Sequence, residues 1–531
     1  MEEQFELILE EKMQQQKELF QKEIIEFKEI GEKFIRGEIS SNEFKASSGG
    51  MGVYAQRGGK EFMIRLRVLS GVLDITTLEL INEFVNDYGL TDVHLTTREA
   101  IQLHNLKFED VISIMTRSLQ SNLFTRGGGG NFPRNVSLSP LSGVEREEAF
   151  DVTKYAMIVN KYFVSRMSQY KLPRKFKVAF SNDENDTANA TIADLGFIGV
   201  RQEGKCYFKV YIGGGLGNQA AISVPFDELV QTQDVMYHVE ASLRMLMEEG
   251  DYENKGKARM RFIVKRMGEE EFLACYKKIL KSVKESNQLD LLIDNEYPAA
   301  EKAKLKNLKE LQTDLILQKQ DGLYTVIVHP KGGILMKEDL KQITLFLQKI
   351  SNLQIRLSME ENMYIRNLTL EQAEKFLDLI RHFGRTTRLE QSVCCIGVPT
   401  CQIGIGESQK LLTNIVTYFK EKGLPNDVLP SIHISGCLNS CARHQVAEIG
   451  LQGKKKRIDD QVQEVYTLYI GGVTGEFDTH FATEYGDILA DSVPSFIYEL
   501  ALSVKESQLD FVEYMNVFKE VFVLILAGYV K

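Results

Sequence analysis

Residues 60–106 and 322–368 align without a gap at a constant offset of 262, and this duplication constrains the fold more than any other feature of the chain. Matched positions include Phe62/Tyr324, Gly71/Gly333, Leu73/Leu335, Leu78/Leu340, Ile81/Ile343, Phe84/Phe346, Leu95/Leu357 and Asn105-Leu106/Asn367-Leu368. Each copy opens on an alternating apolar run (FMIRLRVL; YTVIVHP), which predicts a strand. A glycine turn follows, then a helix with apolar residues at i, i+3 and i+6, then a second strand (VHLTT; IRLSM). A β-α-β unit of this length lays helices on a sheet, so the predicted class is α+β. Downstream, KLPRKFKVAF (171–180) parallels VLPSIHISGC (428–437), and KVYIGGGLG (209–217) parallels TLYIGGVTG (467–475). Matches in the same order predict two homologous halves about a pseudo-twofold axis.

Size and charge narrow the function. A chain of 531 residues accommodates about three to five domain-sized units. The net charge of −10 speaks against a nucleic-acid or anionic-membrane surface as the main business. The opening MEEQFELILEEKMQQQKELFQKE lacks the basic and apolar regions of a signal peptide, so a cytoplasmic location is expected. The apolar run VFVLILAGYV is too short to span a bilayer and predicts a buried terminal helix or strand. Seven cysteines, an odd number, suit cluster ligation in a reducing compartment better than a disulfide frame.

Four of those cysteines form two close pairs, Cys395-x5-Cys401 and Cys437-x3-Cys441. Two such pairs close a four-thiolate cage, one soft ligand for each iron of a [4Fe–4S] cube. Structural zinc is the alternative, but its knuckles are usually spaced C-x2-4-C, shorter than the first pair here. Spacing alone also leaves Cys394 as an alternative to the adjacent Cys395.

The halves differ in charge where they align. Arg65 faces Ile327, Arg67 faces His329, and Arg98 faces Glu360. On the Leu-Pro strand, Arg174, Lys175 and Lys177 face Ser431, Ile432 and Ile434. Lys175 and Lys177 are two apart, so a strand points both to one face. Arg134 lies in GGGGNFPRNVSLSP, whose glycine amides are expected to approach a ligand closely. A single cation is usually a solvated surface residue. Several converging on one pocket call for an anion, either an oxyanion substrate or a cofactor bearing carboxylates.

Together the quartet, FMIRLRV, TTREAIQLH, NFPRNV, LPRKFK and the paired YIGGGLG/YIGG segments resemble the sirohaem-[4Fe–4S] sulfite and nitrite reductases over about residues 50–500. The resemblance implies paired ferredoxin-like repeats plus two sirohaem/[4Fe–4S]-type α/β domains. It divides the chain into a helical arm (1–45), a first repeat (46–120), a substrate-side sirohaem domain (121–290), a linker helix with the second repeat (291–385), and a cluster and sirohaem domain with the C-terminal segment (386–531). It makes Cys395, Cys401, Cys437 and Cys441 cluster ligands, with Cys441 also bridging to the sirohaem iron. It gives the oxyanion to Arg65, Arg134, Lys175 and Lys177, and the cofactor to Arg98, Gln102, His104, Arg174 and Asn439. The family's Lys-x-Lys pair accompanies sulfite reductases, whereas plant-type nitrite reductases carry Lys-x-Asn. Lys175-Phe176-Lys177 therefore points to a sulfite reductase, with nitrite reduction as the alternative, and the single cysteine quartet without a ferredoxin-like insertion resembles the assimilatory, single-chain enzymes. GGGGNFPRN lacks a dinucleotide-binding setting, so electrons are expected from a separate ferredoxin or flavoprotein subunit. The KKKR run (454–457) is a candidate docking element for an acidic donor, although such runs are usually solvated loops.

Overall fold

The computed structural model describes residues 2–295, 314–383, 387–424 and 427–531. Two of its sheets are built from the duplicated repeats. In the first, strands Val53–Ala55, Phe62–Leu66, Ile101–Leu106 and Asp92–Leu95 are followed by Ile334–Met336 from the second copy. In its counterpart, Leu315–Leu317, Tyr324–Val328, Met363–Leu368 and Gln354–Leu357 are followed by Val72–Leu73 from the first copy. Leu73 pairs with Ile355 and Val72 with Arg356, while Leu335 pairs with Val93 and Ile334 with His94. Adding 262 to one set gives the other, so the pseudo-twofold axis is a reciprocal exchange of strands.

The turn that precedes each exchanged strand is also duplicated. Ser70/Gly332, Gly71/Gly333, Glu99/Glu361 and Asn105/Asn367 all have positive φ. A Cβ on Gly71 would stand 2.7 Å from the Leu357 carbonyl oxygen, and one on Gly333 would stand 2.5 Å from that of Leu95. Only glycine allows this approach, which seats each guest strand in its host sheet. Helices Ile75–Asp87 and Lys337–Leu347 pack on one another, and a single apolar core runs through both repeats. The α+β expectation and the duplication hold. Each aligned copy, however, has two strands more than the sequence suggested: the exchanged Val72–Leu73 or Ile334–Met336, and Ile101–Leu106 or Met363–Leu368, which occupies a sheet centre. Their hydrophobic and polar residues follow the outer strands closely enough to read as one continuous segment.

Two larger modules follow, each with its own core. In the first, Ser137–Leu138, Val178–Ser181 and Leu195–Gln202 are parallel, and Lys205–Ile212 returns antiparallel. In the second, Val393–Cys394, Ile432–Ser435 and Ile449–Ile458 are parallel, and Gln461–Ile470 returns. Val178 pairs with Leu195 as Ile432 pairs with Ile449. The strands therefore correspond at an offset of 254, three residues from the Leu-Pro alignment of the sequence, so that Lys177 corresponds to Ser431. The shared Leu-Pro is a local coincidence outside the ladders.

The N-terminal helix Glu2–Ile35 lies along the body, burying Leu9, Phe20, Ile24 and Phe27. A second helix, Ser41–Met51, runs through the boundary expected at residue 45. The connecting helix expected between the halves falls largely on residues 296–313, outside the described residues, and 287–295 are not helical. At the C-terminus VFVLILAGYV is only half buried: helix Lys519–Ala527 tucks in Phe522 and Leu526 and exposes Leu524. Among the described residues, no helix is long and apolar enough to cross a membrane.

Candidate functional site

Strand Phe62–Leu66 buries Phe62, Ile64 and Leu66 and turns Arg65 to the opposite face, as alternation requires. Arg65 Nη1 donates to the Gly128 carbonyl at 2.5 Å. On the neighbouring strand Gln102 stands beside it. With its amide oxygen toward Arg65, Gln102 accepts from Nη2 at 2.5 Å and Nε at 3.0 Å, and its nitrogen donates to His94 Nδ1 at 3.1 Å. His104 lies behind the same arginine, and burial followed by the nearby His94 and Arg65 pushes its pKa down to about 3. Gln102 thus supports Arg65 in this structure, whereas His104 Nδ1 is buried without a hydrogen-bond partner. The next cation, Arg67, is buried among Asn160 Oδ1 and the carbonyls of Pro133 and Arg134. It anchors the segment that carries Arg134.

Arg134 donates to the carbonyls of Gly127, Gly129 and Gly130. The glycine-rich segment therefore turns carbonyls, not the expected amides, toward the pocket cations. An arginine inside the loop gives those oxygens a partner that the sequence pattern did not reveal. Phe176 is fully buried and forms a parallel bridge with Pro133, which leaves Lys175 and Lys177 on the other face. This is the shared face expected from their spacing.

The pocket is strongly cationic. Burial, then Arg259 and Arg134, push the Lys175 pKa down to about 7, while Cys441 of the other half pulls it up. Burial, then Arg98, Lys175 and Arg259, hold Lys177 well below the ordinary lysine value. Arg174, about half buried, is lowered by burial and by Arg259. Arg98 donates to the Asn135 carbonyl at 2.5 Å. Its buried Nε has no protein partner, and the same is true of Arg261 Nη1. Arg259 and Arg261 were not singled out in the sequence. They flank Met260 at the start of helix Met260–Met267, and a Cβ on Gly215 of YIGGGLG would stand 2.7 Å from Arg259 Nη2. Their only sequence signal is an Arg-x-Arg pair, and it is the packing of the helix start against Asp194 and the glycine loop that brings them to the pocket.

The cysteines meet this pocket from the opposite half. Cys395 follows strand Val393–Cys394, whose Cys394 amide donates to the Glu361 carboxylate at 2.9 Å. Glu99 holds Leu138 in the same way, at 3.0 and 3.1 Å. Cys394 is fully buried in the apolar core, so the adjacent Cys395 is the residue that faces the other thiols. Cys395 Sγ accepts the Gly436 amide at 3.1 Å, and Cys437 Sγ accepts Asn439 Nδ2 at 3.5 Å. Backbone amides of Ile403 and Gly404 act on Cys401. Burial, then Cys441, raise the Cys395 pKa to about 12, and burial with neighbouring thiols also raises Cys401 and Cys437. The interface is held by Thr97 Oγ1, which donates to the Cys441 carbonyl at 2.7 Å, and by Arg57 Nη2, which donates to Gly404 at 2.8 Å. Gln445 Nε2 donates to the Gly217 carbonyl at 3.1 Å, and its Oε1 accepts the Gly217 amide at 2.8 Å.

Three thiols, Cys395, Cys401 and Cys437, each raised by burial and by a neighbouring thiol and each addressed by N–H donors, suit an electron-poor inorganic centre. Buried guanidinium nitrogens without protein partners, Arg98 Nε and Arg261 Nη1, suit an anionic macrocycle. The residues present fit both groups.

The model of the nitrite/sulfite reductase ferredoxin-like half domain matches residues 54–120 and 316–383, two stretches that start 262 apart. The model of the nitrite and sulphite reductase 4Fe-4S domain matches residues 129–284, the copy without the cysteine quartet. The chain belongs to the nitrite and sulfite reductase family, a family of oxidoreductases whose cofactors are sirohaem and a [4Fe–4S] cluster. The ferredoxin–nitrite reductase of Synechococcus elongatus is 27% identical over 83% of this chain and 86% of its own. Sulfite reductase [ferredoxin] 1 of Mycolicibacterium paratuberculosis is 25% identical over 78% of this chain and 74% of its own. The solved structure of Mycobacterium tuberculosis NirA superposes with a TM-score of 0.77, covering 91% of this chain and 92% of that one at 22% identity, and shares the fold.

Proposed function

We propose that this enzyme reduces sulfite to sulfide with six electrons, and that Arg65, Arg134, Lys175 and Lys177 receive the oxyanion. In this reading Cys395, Cys401, Cys437 and Cys441 would hold the cluster, and Cys441 would also help to hold the sirohaem. Arg98, His104, Arg174 and Asn439 would meet the macrocycle, and Gln102 acts through Arg65. The bound cofactor pair would relay electrons from the external donor and offer the metal site at which they are delivered. The observation that carries the proposal is the 2.7 Å hydrogen bond from Thr97 Oγ1 to the Cys441 carbonyl, because it seats the cysteine half against the turn that carries Arg98 in the cationic half.

The chain's own residues then bind, orient and protonate. Arg65 offers a planar donor fixed by Gln102, suited to an oxygen of the anion. The Lys175 ammonium, with a pKa near 7, gives up a proton readily at neutral pH to an oxygen that leaves as water. Burial of the pocket cations strengthens each contact with a dianion, since little water screens it.

Nitrite reduction to ammonia is the second reading, supported by the nitrite reductases among the relatives, which are about as similar as the sulfite reductases. An acidic one-electron donor such as ferredoxin suits either. Purified protein is expected to absorb as a haem protein with one sirohaem and four irons per chain, and colourless zinc protein would end the proposal. Comparing turnover of the two anions with an artificial donor decides between them. Lys177→Asn is expected to shift kcat/KM toward nitrite by roughly tenfold, the worth of one charged contact, and an unchanged ratio removes the charge argument.

A further inference from the structure

Asp194 is fully buried just before strand Leu195–Gln202. Its Oδ2 accepts the Lys177 amide at 2.9 Å and Arg259 Nη2 at 2.8 Å, and its Oδ1 accepts Arg259 Nε at 3.0 Å. We propose that Asp194 is a positioning residue for the reaction: one carboxylate clamps the Lys177 segment to the Arg259 guanidinium and so fixes Lys177 where the oxyanion binds. This rests on the reading that Lys177 meets the oxyanion.

Three separate elements converge on that carboxylate. The extended segment before Val178 brings Lys177, and the start of helix Met260–Met267 brings Arg259. The close approach of Gly215 to Arg259 adds the glycine loop after Ile212. A bidentate arginine pair has defined geometry as well as energy, so the amide bond to Lys177 inherits a rigid anchor. The charges that act most strongly on Lys177 are Arg98 from the turn between two strands, Lys175 from its own segment, Arg259 from the helix start, and Asp194. Of these only Asp194 favours the ammonium form. Without it, Lys177 stands among cations alone and gives up its proton at lower pH.

The test is Asp194→Asn in cofactor-loaded enzyme, with Lys177→Met and Asp194→Glu in parallel. KM and kcat for sulfite and nitrite are measured from pH 6 to 9, together with the visible spectrum and iron content. Asp194→Asn should keep spectrum and iron, raise KM about tenfold with little change in kcat, and begin its rise of KM with pH about one unit lower. Asp194→Glu, which retains the charge, should restore the pH profile. Loaded Asp194→Asn enzyme with the parent's KM and pH profile overturns the proposal. So does an effect that disappears once activity is expressed per loaded cofactor. If Asp194→Asn does not fold, Asp194→Glu decides: the parent's pH profile with a raised KM supports the clamp, and an unchanged KM refutes it. If Lys177→Met leaves KM unchanged, the oxyanion reading itself fails. If it raises KM while Asp194→Asn does not, only the role of Asp194 falls.

Discussion

Single residues at this site do what their neighbours let them do. Cys394 and Cys395 are adjacent and chemically identical, yet the strand sends one into an apolar core and the other toward the thiols of Cys441 and Cys437. Cys395→Ser is therefore expected to lose cluster iron, while Cys394→Ser keeps it and loses only stability. Iron and acid-labile sulfide per chain read the difference, and equal losses would reverse the assignment. Lys175 is equally a product of its place: burial and four surrounding charges make an ordinary lysine into a group poised near neutrality. Replacing it with methionine should lower kcat about 100-fold, a usual worth for a positioned proton donor. Steady-state rates on loaded enzyme check this.

At the scale of elements, the exchanged strands bind the two repeats together. Leu73 and Leu335 are equivalent, buried residues of guest strands, each completing a sheet of the other copy. Leu335→Ala is expected to cost about 2–4 kcal/mol, with Leu73→Ala similar, because neither sheet edge collapses freely around the hole. Denaturant titrations measure both, and a loss well below 1 kcal/mol would show the exchange to be dispensable. The same scale explains why one half carries the quartet and the other the cations. By the registers of their parallel strands, Cys395, Cys401, Cys437 and Cys441 correspond to Ser139, Glu145, Asp183 and Thr187. Even the turn is repeated, since the amide of Cys401 donates to Gly397 as that of Glu145 donates to Leu141. One backbone thus presents thiols in one copy and oxygens in the other.

Across the whole molecule, stability should depend on acid. Burial lowers His104, His238 and His444 to about 3, well below the unfolded value near 6.5. Their neutral forms favour the folded state, so stability present above pH 6.5 is lost as pH falls toward 3. The slope approaches 1.4 kcal/mol per pH unit for each group. His238 is a fair probe because it lies away from the pocket, with Nδ1 2.9 Å from Tyr276 Oη. His238→Gln should flatten the fall in melting temperature between pH 7 and 5, and an unchanged slope would assign the acid sensitivity elsewhere. The terminal helix Glu2–Ile35 belongs to this scale too, since Glu23 with Arg126 and Glu6 with Lys161 fasten it to the body. In the KKKR run, Lys454 and Lys456 pair with Asp487, while Lys455 and Arg457 are exposed.

The sequence by itself determined the α+β class, the duplication, the cysteine quartet and the shared face of Lys175 and Lys177. Each of these is written in short-range spacing or in the likeness of one stretch to another. It did not disclose the central third strand of each repeat, the exchange of strands, the true register of the second modules, the glycine carbonyls turned to Arg134, or Arg259 and Asp194. Those depend on which distant segments become neighbours when sheets close. Hydrogen-bond register and burial are properties of pairs of segments, so only the tertiary structure decided them.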